Sequence, residues 1–210
     1  MKRILVLALV ATFLLPVSAS AGVYEDMLNA VKTKDIGKVG NLLQRGMDVN
    51  TSDPSGNSLL LLAAQNGDLA ILELLLRNKA NILTKNKYGD SALMLAALRG
   101  HLKSAAVLVA AGAEIDPEGW TPLIYAAFAG HTEMVRFLVT LDIDIDAQAE
   151  NGMTALMAAS RNGHLEIVKI LIEQDADLGL VNQNNLTALD IASGAGNKEI
   201  AMELSRVAGR

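Results

Sequence analysis

The sequence predicts an all-α fold made of repeated helix pairs, and two observations support this. The chain is 51% hydrophobic but only 3% aromatic, so its core must be built from Ala, Leu, Ile, Val and Met. Such side chains suit closely stacked helices better than sandwiches or barrels. Two sets of landmark residues then recur with identical spacings of 33, 30, 33 and 33 residues. The turn set is Gly56, Gly89, Gly119, Gly152 and Asn185, and the mid-unit set is Gly67, Gly100, Gly130, Gly163 and Gly196.

Residues 1–21 have the three parts of a cleavable secretory signal peptide and are set aside from the fold. Lys2 and Arg3 form the charged start, residues 4–15 the apolar run, and Ala-Ser-Ala at 19–21 fits the small-x-small rule for cleavage. An uncleaved anchor is the alternative, but this apolar run falls well short of the roughly 20 residues that span a bilayer. We therefore expect no integral membrane anchor.

The net charge and the cysteine content restrict which partners and which cellular compartment are plausible for this protein. Without the signal peptide, Lys and Arg fall from 18 to 16 against 23 Asp and Glu, which gives a mature charge of −7. Nucleic acid and anionic membrane surfaces are therefore poor candidate partners. The chain has no cysteine, which excludes disulfides, thiol catalysis and thiolate metal sites. An exported protein without disulfides favours the bacterial periplasm, with the extracellular space as the alternative.

The landmarks divide residues 22–210 into about six units of similar design. Residues 24–31 and 36–43 predict two short helices of a first unit, whose polar positions suit a terminal unit with one face in water. In each later unit, a tight turn leads into an Ala-rich helix, a glycine ends it, and a second helix carries an apolar stripe. The unit boundaries are 22–50, 51–83, 84–115, 116–146, 147–181 and 182–210.

The fifth unit shows the pattern most clearly. Residues 151–178 read NGMTALMAASRNGHLEIVKILIEQDADL, which follows a G-x-T-P-L turn, an Ala-Ala helix, Gly-His and an I-V-x-x-L-L helix almost throughout. This order resembles the ankyrin-repeat family, and the resemblance covers about residues 22–210. It implies an ankyrin-repeat solenoid of stacked antiparallel helix pairs with β-hairpin-like fingers along one edge. Each unit alone exposes its apolar stripe, so only stacking buries it.

Local sequence features support the individual helices. Alanine pairs at 63–64, 96–97 and 126–127 stand where neighbouring helices must approach closely. Pro122 fits the first turn of a helix, where its missing N–H is not needed.

Two irregularities break the repeat. The second helix of a unit is expected to end at a glycine, which is present as Gly46 and Gly112. The other units have Lys79, Asp142 and Asp175 at this position. Asp tolerates the left-handed conformation better than Lys. From residue 113 to 121 the chain takes eight steps where the equivalent segment of the preceding unit takes eleven. The row of fingers should therefore have a notch before the fourth helix pair.

The three histidines are the first candidates for a metal or catalytic site. His101, His131 and His164 each directly follow a mid-unit glycine. Equivalent positions in a stack lie on the order of 10 Å apart, too far to share one metal ion. We therefore interpret them as structural histidines.

A second candidate site is acidic. Asp142, Asp144 and Asp146 resemble the start of a calcium loop, but the glycine and glutamate that such a loop needs are replaced by Ala147 and Met153. No nucleophile elbow, P-loop or dinucleotide fingerprint is found. We predict no metal, no cofactor, no catalytic residues and no enzymatic activity, with an enzyme that uses an unrecognised site as an alternative.

The resemblance also implies a binding surface. In ankyrin repeats, the positions that contact partners flank the turn glycine and precede the mid-unit glycine, and they line the concave face. Trp, Tyr and Arg are frequent at binding hot spots. The predicted protein-binding residues are Tyr88, Leu98, Arg99, Trp120, Phe128, Met153 and Arg161. The alternative is that Trp120 and Phe128 only pack beneath the fingers.

From these observations we predict a protein–protein interaction module of the cell envelope. It would bind a protein of unknown identity through the concave face of the stack, and we expect it to be a monomer. One alternative is an immunity or inhibitor protein that blocks a toxin or enzyme. Another is a structural spacer, which would have no partner.

Overall fold

The computed structural model describes residues 17–209. The charged start and the apolar run of the predicted signal peptide lie outside the described residues. Residues 17–21 belong to the first helix, which passes through the predicted cleavage site after Ala21 without a break. Cleavage there stays a prediction. None of the described helices is both long enough and apolar enough to cross a bilayer.

Twelve α-helices and no β-strands make up the described part of the chain, which confirms the all-α fold. The helices are α1 Val17–Lys32, α2 Ile36–Gln44, α3 Leu59–Asn66, α4 Leu69–Arg77, α5 Ala92–Leu98, α6 Leu102–Ala110, α7 Pro122–Ala129, α8 Thr132–Leu138, α9 Ala155–Asn162, α10 Leu165–Glu173, α11 Ala188–Gly194 and α12 Lys198–Ala208.

The helices form two parallel rows. Each odd-numbered helix contacts the even-numbered helix that follows it and also the next odd-numbered helix. The even-numbered helices contact one another in the same order and form the second row. Every unit therefore packs only on its immediate neighbours, as the repeat pattern predicts.

The core lies between these rows and between successive units. The alanine pairs at 63–64, 96–97 and 126–127 have no solvent exposure, as expected for small side chains between closely packed helices. Pro122 is the first residue of α7, and the Thr121 hydroxyl accepts a hydrogen bond from the Ile124 N–H. The other first helices from α3 onward are capped in the same way, by Ser58, Ser91, Thr154 and Thr187.

Most second helices end in a left-handed residue, as predicted. The φ angle is 89° at Gly46 and 90° at Gly112, and Lys79 and Asp175 adopt 63° and 59°. The residue after Lys79 then donates its N–H to the carbonyl five positions back, from Ala80 to Leu75 at 3.0 Å. This hydrogen bond closes the helix end.

Asp142 does not follow this pattern. Its φ angle is not positive, α8 already ends at Leu138, and the Ile143 N–H donates to Leu141 instead of to Leu138. The β-branched Thr140 stands two residues after this end, where its hydroxyl donates to the Phe137 carbonyl at 2.7 Å. Such local hydrogen bonds compete with helix continuation, which explains the early end.

The three histidines join neighbouring units and do not meet one another. Each ring packs against the mid-unit glycine of the preceding unit, where an added Cβ would lie 2.5–2.7 Å from the ring. Each Nε2 also lies at hydrogen-bond distance from a carbonyl oxygen of that unit: His101 at 3.1 Å from Gln65, His131 at 3.0 Å from Leu98, and His164 at 3.2 Å from Phe128. We call these contacts the glycine–histidine locks.

A last contact of this type uses an amide. Asn197 packs against Gly163 and donates from Nδ2 to the carbonyl oxygens of Ser160 and Arg161. Among the described residues, no group of three His, Asp or Glu side chains is placed to hold a metal ion. The structural interpretation of the histidines agrees with these contacts.

Candidate protein-binding surface

The fingers are the connections that lead from each second helix to the first helix of the next unit. The first, second and fifth fingers each have 14 residues, the third has 11, and the fourth has 16 because α8 ends early. We call the third the short finger. In order, the fingers are residues 45–58, 78–91, 111–121, 139–154 and 174–187.

A side chain at the base of the turn stabilises three of the fingers. Asp53 Oδ1 accepts hydrogen bonds from the Ser55 and Asn57 N–H groups at 2.9 Å. Asn86 and Asn182 make the same pair of bonds in the second and fifth fingers. Burial acts to raise the pKa of Asp53, but hydrogen bonds from Asn57 and Ser55 and the charge of Lys32 outweigh it and lower the pKa.

The short finger lacks this turn. Asp116 stands at the equivalent position, but its carboxylate accepts from the Asp144 N–H of the fourth finger at 3.1 Å. Residues 114–120 make no backbone-to-backbone hydrogen bond in the described structure.

The first and second fingers are hairpin-like, since each contains an isolated β-bridge, Ser52–Ser58 and Lys85–Ser91 respectively, whereas none is found in the short finger among the described residues. In the fourth finger, the Asp144 carboxylate accepts a hydrogen bond from the Asp146 N–H at 2.9 Å, so these two aspartates belong to a finger turn.

Backbone hydrogen bonds also join neighbouring fingers at two places. The Lys87 N–H donates to the Ser55 carbonyl at 3.1 Å, and the Gln183 N–H donates to the Asn151 carbonyl at 3.0 Å. Pro117 occupies the equivalent position in the short finger and has no N–H to donate. In the described part of the chain, no backbone hydrogen bond joins the short finger to either neighbour. The short finger is three residues shorter than the first and second, which agrees with the predicted notch.

Clefts open on both sides of the short finger. The cleft towards the second finger has a volume of about 150 Å³ and is lined by side chains that include Tyr88, Asp90 and Trp120. The cleft towards the fourth finger has about 230 Å³ and is lined by residues that include Asp116 and Gln148.

Three aromatic rings cluster beside the first of these clefts. Trp120 lies 5.1 Å from Tyr125 between ring centroids, and 6.2 Å from Phe128 in an edge-to-face arrangement. Separations and angles of this kind are favourable for aromatic pairs. Tyr88 lies across the cleft on the second finger. Two of the predicted residues, Trp120 and Phe128, are therefore brought together with Tyr88 close by.

Sequence reasoning missed Tyr125. It lies on α7 between Trp120 and Phe128, and its hydroxyl donates to Asp90 Oδ1 at 2.6 Å. Burial and the hydrogen bond to the neighbouring Asp90 carboxylate raise the pKa of Tyr125 above its ordinary value. One signal was available in the sequence, because the other regular units carry aliphatic residues at this position, namely Leu62, Leu95, Ala158 and Ile191.

The predicted residues differ in exposure. Tyr88 is 79% exposed and Phe128 41%, while Trp120 and Leu98 are half-buried. Met153 is buried, with 8% exposure, because its side chain belongs to the hydrophobic core. It offers little area to a partner, so we leave it out of the surface proposed below.

The two predicted arginines lie apart from the cleft. Arg99 and Arg161 are exposed and stand at the C-terminal ends of α5 and α9, whereas the fingers meet these helices at their N-terminal ends. A helix of seven residues is about 10 Å long. Neither arginine lines the aromatic cleft, and Arg161 instead lines a separate cleft of about 440 Å³ together with Met153 and fifth-finger residues 182–184.

A family model described as ankyrin repeats in three copies matches the chain at residues 27–117, 60–149 and 141–207. These matches together span nearly all of the described helices. No curated protein matches the chain.

Proposed function

The chain belongs to the ankyrin-repeat family, whose members are generally protein–protein interaction modules, and on this premise we propose that it binds a protein partner through its concave surface. The proposed surface is centred on the aromatic cluster and its neighbours, namely Tyr88, Leu98, Arg99, Trp120, Phe128 and Arg161. Ankyrin-repeat proteins are typically binding modules without catalytic activity.

The exposed aromatic cluster beside the short finger carries this proposal. Five of the seven aromatic residues of the chain lie in two adjacent units, and four of these, Tyr88, Trp120, Tyr125 and Phe128, lie at or beside the cleft. Packing alone does not require Tyr88 at 79% exposure or Phe128 at 41%. Aromatic side chains held by a rigid scaffold and open to solvent are typical of binding hot spots.

We further propose that the protein acts in the cell envelope after export. The support is the signal-like sequence at 1–21, the lack of cysteine and the acidic mature chain. A fusion of residues 1–30 to a reporter that is active only in the periplasm tests this step. A Leu9→Arg change in the apolar run should abolish reporter activity, and an unaffected reporter would argue against export by this segment.

Partner capture tests the surface itself. The bait is the purified protein expressed from the full-length sequence, and it is compared with a Trp120→Ala, Phe128→Ala variant on envelope extracts. We expect the variant to lose the partner while its thermal unfolding stays cooperative. Met202→Ala is the matched control, because Met202 is 64% exposed on α12, away from the proposed surface.

If the double variant unfolds far below the wild type and still retains the partner, the rings have a structural role and the surface is misplaced. If Met202→Ala loses the partner instead, binding occurs at the C-terminal unit.

A further inference from the structure

We propose that the cleft between the second finger and the short finger receives a cationic side chain, lysine or arginine, from a basic segment of the protein partner. This inference rests on the proposed function and specifies the chemistry of its partner. It concerns the finger end of the concave face, where Tyr88, Trp120 and Tyr125 line the cleft.

The walls of the cleft suit a cation. Three aromatic rings border a space of about 150 Å³, open to solvent beside the exposed Tyr88. Ammonium and guanidinium groups are attracted to the faces of such rings, most strongly to Trp and often through arginine. The aliphatic stem of either side chain can at the same time cover the apolar part of the wall.

Charge complementarity selects a cation over a neutral group. Asp90, Glu118 and Glu150 line the cleft, and no Lys, Arg or His is among its lining residues. The salt bridges of the described chain involve neither Glu118 nor Glu150. Asp90 accepts from Tyr125 and from Asn86 Nδ2, which fixes its carboxylate at the cleft wall.

Among the described residues, the nearby basic side chains do not supply this cation. Lys85 of the second finger is paired with Glu114 at 3.0 Å. The stem of Lys87 lies against Gly56 of the first finger, so it runs away from the cleft. Neither Arg99 nor Arg161 lines this cleft, and Arg161 lines a separate cleft beside the fifth finger.

The cleft is open for reasons that the sequence shows. Where a finger-to-finger hydrogen bond is made, as from Lys87 to Ser55, the neighbouring turns are held together. The short finger lacks three residues, and Pro117 cannot make that bond. The space between the two turns is thus left for a side chain from outside.

The only tryptophan of the chain provides the measurement. The purified protein is titrated with three peptides, acetyl-Gly-Gly-X-Gly-Gly-amide with X as arginine, lysine or glutamine, and Trp120 emission is recorded. We expect a saturable change with the arginine and lysine peptides and none with the glutamine peptide. A Glu118→Gln, Glu150→Gln variant should bind the cationic peptides about fivefold or more weakly.

The matched control is Glu25→Gln, Glu173→Gln, which makes the same change in net charge on exposed residues away from the cleft. It should bind like the wild type. Equal binding of the glutamine peptide, or equal weakening by both variants, overturns the proposal, since either result means that the cleft does not select a cation.

The two proposals fail in different ways. If Trp120→Ala, Phe128→Ala abolishes partner capture but no cationic peptide binds, the concave surface stands and its cationic specificity falls. If cationic peptides bind but the double variant still captures the partner, the cleft is a cation site and the proposed partner surface falls.

Discussion

The two edges of the stack differ in regularity. At one edge, the glycine–histidine lock recurs between successive units with Nε2 distances of 3.0–3.2 Å, and Asn197 continues the series. At the other edge, backbone bonds join the first finger to the second and the fourth to the fifth, but none among the described residues reaches the short finger.

This difference suggests that the lock edge serves stability and the finger edge serves recognition of a partner. The contact recurs at four of the five interfaces between units, where it maintains the spacing of the helices, so these positions have little room for variation. The finger edge contributes less to that spacing and can therefore lose three residues and a hydrogen bond without breaking the stack. Substitutions at the lock edge should change unfolding, and substitutions beside the short finger should change binding.

The largest effect is expected for Gly130→Ala at the lock edge. Gly130 has a φ angle of 80°, and a Cβ there would lie 2.5 Å from the His164 ring. Strain and overpacking together should lower the free energy of unfolding by about 2–4 kcal/mol. Gly112→Ala is the control, because its φ is 90° but no atom lies within 4 Å of its Cβ. Equal losses in urea denaturation of the two variants would mean that the ring contact contributes nothing.

The first finger and the short finger should differ in how much their turn aspartates contribute to the free energy of unfolding. Asp53→Ala removes the acceptor of two turn N–H groups and should cost about 1 kcal/mol. Asp116→Ala removes one bond, to Asp144, at an exposed position, and should cost about half as much. Chemical denaturation of both variants measures this. A larger loss for Asp116→Ala would show that the short finger is held as firmly as the first.

A gain in stability is expected at the base of the second finger. Lys79 has a φ angle of 63°, which glycine adopts without strain, so Lys79→Gly should stabilise the protein by about 0.5–1 kcal/mol. Asp142 occupies the same register but is not left-handed, so Asp142→Gly should bring no gain. Thermal unfolding of the pair tests this, and a lower melting temperature for Lys79→Gly would contradict it.

The smallest effect is a pH dependence. The folded pKa of Asp53 is lowered, so its contribution to stability is present above the unfolded pKa and is lost as the pH falls through the folded pKa. Asp53→Asn should keep the turn, since Asn86 and Asn182 make it elsewhere, but should lose less stability than the wild type on acidification. Unfolding measured at pH 6 and pH 3 gives the comparison, and equal losses would exclude a role for this carboxylate.

Most of the fold was predictable because its signals are local and repeated. The caps at Thr121 and Thr154, the buried alanine pairs and the glycines with positive φ each follow from a few neighbouring residues. The end of α8 was not predictable from register alone, since the Thr140 hydroxyl bond competes with the helix.

The site was less predictable than the fold. The position of Tyr125 depends on Asp90, which lies 35 residues earlier and meets it only through stacking. The burial of Met153 depends on how the fourth finger folds over the core, and the register places it no differently from the half-buried Trp120. Register identifies equivalent positions, but the side chains around each position decide its exposure.

The missing N–H of Pro117 also has a mechanical consequence. When the solenoid bends so that its fingers move apart, the hydrogen bonds from Lys87 to Ser55 and from Gln183 to Asn151 are stretched. In the described chain, no such backbone bond holds the short finger to its neighbours. The short finger is held to its neighbours by side-chain contacts instead, the Asp144 N–H to Asp116 hydrogen bond and the Lys85–Glu114 ion pair. We therefore expect the finger edge to bend most easily there, and a partner bound at that point to stiffen it locally.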